Sequence, residues 1–358
     1  MQARAAAGAD LPSDPTRTPS TPNASRPSVL RDGASAVAEA IQAVPSRFRR
    51  RRDAHPIDVP VEELSSRVLC FGGEFGYELL SWLPYLRFVA EELDVPLTTC
   101  SRTGSTPFYE FSSDHREIEF TWRPDRFGCD ESSAAFRKRF GSDAVMPKRP
   151  WRGQPHPLSL GGIAWEHQRI HNRLRTNNYR ALELGAPRGE FLPRDQPVAI
   201  INNKDFENWG NRDPALRENF SPSQLHELRD LLLTLGYFVV YHRFHEPVPE
   251  DRIVLEDEGI FEATGCLDMN TVYAEAAAAS ERTRLQLELY AGADLAICPQ
   301  GGNSYLPIIC GLRTLVLSLN GRLIEYQDLE RIYGPRVDVH TSFRSIMDAL
   351  SCLPAPRP

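Results

Sequence analysis

The sequence predicts an α/β protein built from two series of β-strand, α-helix and β-strand. A short apolar run is followed by a glycine turn and a segment with helical spacing at 67–93, and the same order recurs at 294–311. A strand, an amphipathic helix and a second strand also follow one another at 198–242. A helical crossover makes the strands that it joins parallel. We therefore expect parallel sheets flanked by helices.

Composition fits a soluble protein of two domains. The 358 residues, of which 41% are apolar, are enough for two packed cores, and the formal net charge of −7 gives no general reason to bind nucleic acid. No apolar run approaches the roughly 20 residues of a membrane span, and the first residues lack the apolar segment of a secretory signal. We expect a cytoplasmic protein.

The cysteines are scattered and form no CxxC pair, so neither a disulfide framework nor a zinc site is indicated. Several lie within apolar runs, which is typical of reduced thiols in a core. The chain contains seven: Cys70, Cys100, Cys129, Cys266, Cys298, Cys310 and Cys352.

Residues 1–62 form an Ala, Pro, Ser, Thr and Arg-rich arm with few large apolar residues, and we expect this arm to be disordered. It carries a basic cluster at 47–52 after a short amphipathic stretch. A solvated basic tail is the favoured interpretation, and a weak peripheral contact with the anionic inner face of a membrane is the alternative.

The first predicted domain covers 63–190. A strand at 67–71 precedes a helix from about 76 to 93, whose apolar residues recur at steps of four, three and three, and a second strand follows at 96–100. The stretch from about 102 to 163 indicates little beyond one strand at 117–122, and a helix is expected over 164–184. The predicted apolar stripe of the first helix consists of Leu79, Leu83, Leu86 and Val89.

The second predicted domain covers 191–354, after a polar, turn-rich link at 187–197. Ser221, Pro222 and Gln224 give the signals of a helix start, and Gly236 closes that helix. A later helix ends near Tyr290. The expected strands lie at 198–202, 237–242, 294–298 and 314–319.

The loop at 298–307 is the first candidate for chemistry, because ligands of open α/β sheets bind beyond the carboxyl ends of the strands. Its glycines let the backbone approach a ligand, and the helix start that follows offers unpaired N–H groups to a diphosphate. An ordinary strand-to-helix turn would use the same residue types. The candidate donor-binding residues here are Gln300, Gly301, Gly302, Asn303 and Ser304.

Two carboxylates at the first glycine turn, Glu74 and Glu78, are the second candidate. An inverting sugar transferase needs a carboxylate that removes the proton of the attacking acceptor hydroxyl. Stabilisation of the helix start is the alternative role of Glu78.

Polar and cationic side chains after the strands of the second domain could hold a departing diphosphate. A solvated loop is the equal alternative for those at 201–213, and a plain exposed helix residue for Glu325, which could otherwise accept hydrogen bonds from a ribose. The candidates are Asn202, Asn203, Lys204, Arg212, Arg243 and Glu325.

The segment GYELLSWLP resembles the opening motif of the bacterial heptosyltransferases, in which two aliphatic residues follow an acid and a proline stands six positions after it. The stretch at 293–318 similarly resembles their donor-binding strand, glycine turn and helix. That family has Asp in place of Glu78, and Asp-Thr-Gly and a His around Gln300 and Tyr305, which argues against heptose as the sugar. The motif residues are Glu78, Leu79, Leu80 and Pro84.

The resemblance implies a GT-B fold, in which two Rossmann-like domains face each other across a cleft. It implies an N-terminal acceptor domain and a C-terminal donor domain that binds a nucleoside diphosphate sugar as co-substrate, without a metal or other cofactor. The acceptor would be a glycan or a small molecule with a free hydroxyl.

Rival interpretations are weaker. Two histidine pairs, His167 with His171 and His242 with His245, lack a third metal ligand nearby. A P-loop and a GxSxG elbow are absent from the sequence. Three functions stay open: an inverting glycosyltransferase, a polysaccharide pyruvyl transferase, and a nucleotide-sugar binder without catalysis.

Overall fold

The computed structural model describes residues 57, 59–73, 75–119, 130–147, 188–204, 219–243, 256–319, 321, 323–334 and 336–354. All of them belong to one compact unit, residues 53–358. The helix expected over 164–184 and almost all of the predicted disordered arm lie outside the described residues.

Four parallel strands form the N-terminal sheet, in the order β3-β2-β1-β4. The predicted parallel pair is confirmed, since Leu69 lies opposite Thr99 in the register of the two strands. The strand expected at 117–122 begins and ends earlier, at Asp114–Ile118. The strands are β1 (Val68–Cys70), β2 (Thr98–Arg102), β3 (Asp114–Ile118) and β4 (Ala144–Val145).

One helical segment, α1, joins β1 to β2 and includes two π-helical turns. It consists of Phe75–Tyr77, the π-helical Glu78–Trp82, Leu83–Arg87 and the π-helical Phe88–Glu92. The predicted stripe is buried as expected. Residues between its members are buried as well, so the helix does not have the single buried face that the sequence predicted. The additional buried residues include Leu80, Trp82, Tyr85 and Phe88.

Six parallel strands form the C-terminal sheet, in the order β10-β9-β8-β5-β6-β7. Counted within this sheet, that order is 3-2-1-4-5-6 when viewed from β7, which is the strand order of the Rossmann fold. The predicted α/β class and the Rossmann-like character of this half are confirmed. The strands are β5 (Val198–Asn203), β6 (Phe238–Arg243), β7 (Cys266–Asp268), β8 (Leu295–Pro299), β9 (Arg313–Leu317) and β10 (Val337–His340).

Helices connect these strands, and the best sequence signal among them is confirmed in full. The Ser221 side chain accepts from the backbone N–H of Gln224, and the Gln224 side chain accepts from the N–H of Ser221, which is a capping box. In the described part of the chain the helices are α2 (Asp130–Phe140), α3 (Pro222–Thr234), α4 (Met269–Glu275), α5 (Ala279–Ala291), α6 (Gly302–Ile309), α7 (Leu323–Tyr333) and α8 (Phe343–Ser351).

A single apolar cluster extends through both sheets. It joins Leu69 of β1 and Leu86 of α1 to Ile200 of β5 and Ile308 of α6. Ile57 belongs to the same cluster with 1% of its surface exposed, so packing begins inside the arm that we expected to be disordered to residue 62. The two halves therefore share a core.

The carboxyl edges of the two sheets face each other. A Cβ atom placed on Gly76, at the start of α1, would lie 3.3 Å from the ring of Tyr305 in α6. A Cβ atom on Gly104, just after β2, would lie 2.9 Å from the backbone oxygen of Ala279 at the start of α5. Loops that follow the N-terminal strands thus contact helix starts at the carboxyl edge of the C-terminal sheet.

The cysteines in the described residues are free thiols, as the sequence indicated, although Cys352 is exposed and not in a core. Burial raises the pKa of Cys298 to about 12, so it is not a thiolate at neutral pH. Within the described ranges no helix has the length and apolarity that crossing a membrane requires.

Candidate active site

The candidate site lies where the strand order of the C-terminal sheet reverses. β5 pairs with β6 on one side and with β8 on the other, so the chain leaves β5 and β8 in opposite directions. A crevice opens at such a switch point beyond the carboxyl ends of the strands, and ligands of open α/β sheets bind there. Asn203 ends β5 and Pro299 ends β8. The loop predicted from its glycines is at this point.

Gly301 has a backbone conformation that requires glycine. Its φ of 112° and ψ of −159° lie in a region that other residues essentially do not occupy. A Cβ atom built on Gly301 or on Gly302 would meet no atom within 4 Å, so the described residues leave space beside both. The conformation of the turn therefore depends on glycine at position 301, and no described residue fills the space beside it.

The first turn of α6 contains two amide groups that other groups of the turn do not bind. The N–H of Gly301 donates to the Tyr326 hydroxyl at 3.2 Å, and the N–H groups of Ser304 and Tyr305 return to the Gly301 carbonyl. Among the described residues the N–H groups of Gly302 and Asn303 have no acceptor. Unpaired amides at a helix start bear partial positive charge and favour anions.

Two asparagines at the end of β5 bond to Asn303, in the first turn of α6. The amide nitrogen of Asn202 donates to the Asn303 carbonyl oxygen at 2.9 Å, and the amide nitrogen of Asn303 donates to the Asn203 carbonyl oxygen at 2.9 Å. Both β5 asparagines are fully buried. Because a buried polar side chain that loses its partner destabilises the fold, this pairing fixes the position of Asn303 closely.

Gln300, the residue before the glycines, is held by Ser318 and Lys204. The Ser318 hydroxyl donates to the Gln300 side-chain oxygen at 2.7 Å, and the Lys204 ammonium donates to the Gln300 carbonyl oxygen at 3.3 Å. Ser304 bonds to the Tyr326 hydroxyl at 2.8 Å. The predicted residues of this loop are thus brought together with Lys204 and with the backbone of Asn203, whose side chain bonds to the backbone of Phe220 instead.

Arg243, at the end of β6, is held by an acid. Its guanidinium Nη1 lies 3.4 Å from a carboxylate oxygen of Asp257, and the Tyr241 hydroxyl donates to the other oxygen of the same carboxylate. Burial, with Asp257 beside it, raises the pKa of Tyr241, which stays a neutral donor. The pair orients Arg243 and offsets part of its charge.

Glu78 lies at the carboxyl edge of the N-terminal sheet and is 1% exposed. One carboxylate oxygen accepts from the Ser101 hydroxyl at 2.6 Å and from the Tyr109 hydroxyl at 2.5 Å, and the other lies 3.9 Å from the Nε of Arg102. Arg102 stacks at 4.4 Å over the ring of Phe75. An acceptor hydroxyl could reach this buried carboxylate only if the residues around it moved, and the role of Glu78 as base stays a prediction.

Other predicted residues are not placed beside the turn. Glu74 and Arg212 lie outside the described residues, as do His167, His171 and His245. Glu325 lies in α7, one residue before Tyr326, and only its backbone is described. No group of three or more His, Cys, Asp or Glu side chains that could hold a metal occurs within the described ranges.

Sequence reasoning missed three residues that shape the site. Tyr326 contacts the glycine turn from α7, Asp257 orients Arg243, and Gln286 of α5 contacts His242. Tyr326 directly follows Glu325, so the helix that the sequence analysis singled out does contact the turn, through the residue after the predicted one. Asp257 and Gln286 gave no signal, because each is an ordinary polar residue until the fold buries it.

Comparison with known proteins finds similar solved structures and no family. No family model and no curated protein matches the sequence. Solved structures that resemble the chain include bacterial heptosyltransferases and a glycosyl transferase of family 9. The heptosyltransferases among these structures are the family that the motifs at 76–84 and 293–318 resemble.

Three of these structures cover most of both chains. Escherichia coli ADP-heptose lps heptosyltransferase II is 13% identical, with 80% of this chain and 96% of that chain covered and a TM-score of 0.45. The glycosyl transferase family 9 protein of Veillonella parvula DSM 2008 is 12% identical, with 82% and 91% covered and a TM-score of 0.47. The E. coli heptosyltransferase WaaC with ADP is 12% identical, with 80% and 99% covered and a TM-score of 0.42. These TM-scores describe a distant likeness of structure and identify no residue of the site.

Proposed function

We propose that this protein is a glycosyltransferase that moves a sugar from a nucleoside diphosphate donor to a hydroxyl acceptor. The observation that carries the proposal is the open Gly301–Gly302 turn at the switch point of a Rossmann sheet. Its two available amides and the start of α6 suit an anion, and the position is that of a nucleotide site. The facing carboxyl edge of the N-terminal sheet would receive the acceptor.

The diphosphate would be bound by the protein itself. The amides of Gly302 and Asn303 have no acceptor among the described residues, and Lys204, directly after β5, donates to the carbonyl oxygen of Gln300. Arg243 ends β6, the next strand along the sheet from β5. Preorganised amides and cations stabilise charge that develops on a leaving group. We therefore propose metal-independent transfer, with the helix start and Lys204 in the role that a divalent cation has in other transferases.

The proposed reaction is a single displacement that inverts the anomeric centre. The acceptor oxygen forms a bond to the anomeric carbon while the bond from that carbon to the diphosphate oxygen breaks. The acceptor proton passes to a carboxylate, for which Glu78 and Glu74 are the candidates. The negative charge of the departing diphosphate is stabilised at the turn.

Binding of the donor is tested by calorimetric titration of the full chain with ADP, UDP, GDP and CDP and with their glucose derivatives, in EDTA and then in Mg²⁺. We expect one nucleotide series to bind with similar affinity in both. The melting temperature should rise with the same ligand, because a ligand that binds only the folded state stabilises it. Absence of binding in the whole panel would refute the donor site, and binding that needs Mg²⁺ would refute metal independence.

A second function is favoured by the burial of Glu78, which leaves this carboxylate no direct access to an acceptor. The protein could bind a nucleotide sugar without transferring it. Release of free nucleoside diphosphate from the bound donor, measured with and without a panel of sugar acceptors, separates the two. Tight donor binding with no release above the uncatalysed rate would favour the binding protein.

A further inference from the structure

The glycine turn is connected to a line of buried amide and imidazole groups that runs away from the proposed ligand. His242 is 2% exposed and Gln286 is 7% exposed, and neither lies in the turn. The His242 Nδ1 lies 2.8 Å from the Asn202 side-chain oxygen, and the His242 Nε2 lies 3.4 Å from the Gln286 amide nitrogen. These contacts link α5 to β6, β5 and the start of α6.

The direction of each hydrogen bond follows from the chemistry of the groups. The Gln286 amide nitrogen only donates, so His242 Nε2 accepts and the ring proton is on Nδ1. His242 Nδ1 then donates to the Asn202 oxygen, which turns the Asn202 amide nitrogen towards the Asn303 carbonyl. A flipped imidazole ring or a reversed side-chain amide would place two donors or two acceptors against each other at one or more of these contacts.

The line ends at the residue that presents a free amide to the ligand. The Asn202 amide nitrogen donates at 2.9 Å to the Asn303 carbonyl, and the Asn303 N–H is one of the two that have no acceptor among the described residues. The Asn202 amide nitrogen also donates to Cys298 Sγ at 3.2 Å and to the Tyr290 hydroxyl at 3.3 Å. Removing the proton on His242 Nδ1 would release the Asn202 oxygen and leave this amide held on its nitrogen side alone. The Asn303 carbonyl would then accept from a donor that is less firmly oriented.

We propose that His242 and Gln286 are positioning residues that hold the Gly301–Asn303 turn in its ligand-binding conformation through Asn202. The inference deepens the proposed function, on which its ligand rests. Preorganisation of a binding loop lowers the entropy that a ligand must overcome, so residues two contacts away from the ligand affect its affinity. Neither side chain needs to touch the nucleotide.

The test compares two substitutions at the same buried position. His242→Asn keeps a donor close to Nδ1, whereas His242→Phe keeps a ring between Tyr273 and Tyr290 but has no donor. We expect His242→Phe to weaken binding of the nucleoside diphosphate about five- to tenfold, the usual effect of one lost hydrogen bond, and His242→Asn to change it less than about twofold. A role in packing alone predicts the opposite order.

Hydrogen–deuterium exchange of the segment 300–306 without ligand measures the turn itself. Exchange should be faster in His242→Phe and in Gln286→Leu, and close to wild type in His242→Asn. Tyr273→Phe is the matched control, because its ring contacts His242 while its buried hydroxyl has no hydrogen-bond partner among the described residues. It should leave exchange and affinity unchanged.

The outcomes separate the inference from the proposed function. Unchanged exchange at 300–306 in both His242→Phe and Gln286→Leu, or equal acceleration in His242→Asn, would overturn the positioning role. If the wild-type protein binds no nucleoside diphosphate, the donor site is refuted, and the exchange difference between the Phe and Asn variants still decides whether the line of hydrogen bonds holds the turn. Gln286→Leu keeps the test valid if His242→Phe does not fold.

Discussion

The carboxyl edges of the two sheets contain similar kinds of polar residue, but these residues form different hydrogen-bond arrangements. At the N-terminal edge, one carboxylate oxygen of Glu78 accepts from Ser101 and Tyr109, and His115 bonds to Thr99 and Ser105. At the C-terminal edge, asparagine side chains bond to backbone carbonyls, and the N–H groups of Gly302 and Asn303 have no acceptor among the described residues.

Under the proposed function, the two edges differ in how much their side chains must rearrange to bind a ligand. The glycine turn would bind an anion without rearrangement, because its donors belong to the backbone and the supporting asparagines are already paired. An acceptor at the N-terminal edge would reach Glu78 only after the residues that bury it had moved. Donor binding should therefore be insensitive to the N-terminal edge, and transfer should depend on both.

The largest effect is expected from Glu78→Gln. If Glu78 is the base, kcat should fall about 100-fold or more, with the affinity for the nucleotide donor near wild type, since the change removes proton transfer and leaves the glycine turn intact. Steady-state kinetics and calorimetry on the same preparation measure both quantities.

Ser101→Ala is the control, because it removes one donor to Glu78 and keeps the carboxylate. Unchanged kcat in a folded Glu78→Gln protein would end the assignment of Glu78 as base and make the N-terminal network structural.

Gly301→Ala should act on the C-terminal edge alone. The backbone conformation of Gly301 strains any residue with a Cβ, so we expect a loss of about 1–3 kcal/mol in the free energy of unfolding and at least tenfold weaker nucleotide binding. Urea unfolding and calorimetric titration measure these.

Gly311, with a φ of 81° at the other end of α6 and no atom within 4 Å of an added Cβ, gives the matched control. Gly311→Ala should cost about 1–2 kcal/mol of stability without loss of affinity. Equal losses of affinity in the two variants would show that the turn is not the ligand site.

The N-terminal network should be sensitive to acid. Burial lowers the pKa of His115 to about 4 from its ordinary 6.5, against the opposing effect of Glu117 and Asp114. The folded state thus favours neutral His115, so this contribution is complete above pH 6.5 and is lost as the pH falls towards 4.

Between those values we expect a loss on the order of 2–3 kcal/mol in the free energy of unfolding. Urea unfolding at pH 7.5 and pH 4.5 should show a smaller pH effect in His115→Gln than in wild type. The same pH effect in both proteins would contradict the role of His115.

The smallest effect is expected from Ser221→Ala, which removes one half of the α3 capping box at a distance from the glycine turn in sequence. Stability should fall by about 1 kcal/mol, with nucleotide affinity unchanged. Thermal unfolding and calorimetry measure the two. This variant calibrates the others, because a fall in affinity here would show that stability of the C-terminal sheet alone affects binding.

Local signals allowed much of the fold to be predicted from the sequence. The capping box at Ser221, the parallel strands at 198–203 and 238–243, and the glycine turn after β8 each depend on residues close together in the chain. The stripe on α1 was incomplete, because a helix covered on several sides no longer needs an amphipathic pattern and its π-helical turns change the spacing.

The site itself could be predicted only in part. Asn202 and Asn303 are separated by 101 positions, and Tyr326 is 25 positions from Gly301. Such contacts are set by the order of strands in the sheet, which no local pattern specifies. The burial of Glu78 was missed for the same reason, since Ser101 and Tyr109 approach it from other segments of the chain.

Gly104 fixes how near the two halves come to each other. Its φ of 88° favours glycine on conformational grounds, and the 2.9 Å gap to the Ala279 oxygen excludes a methyl group on steric grounds. Two independent requirements thus meet at one position. A methyl group at Gly104 would push the loop after β2 away from the start of α5, so even the smallest side chain here would force the two halves apart.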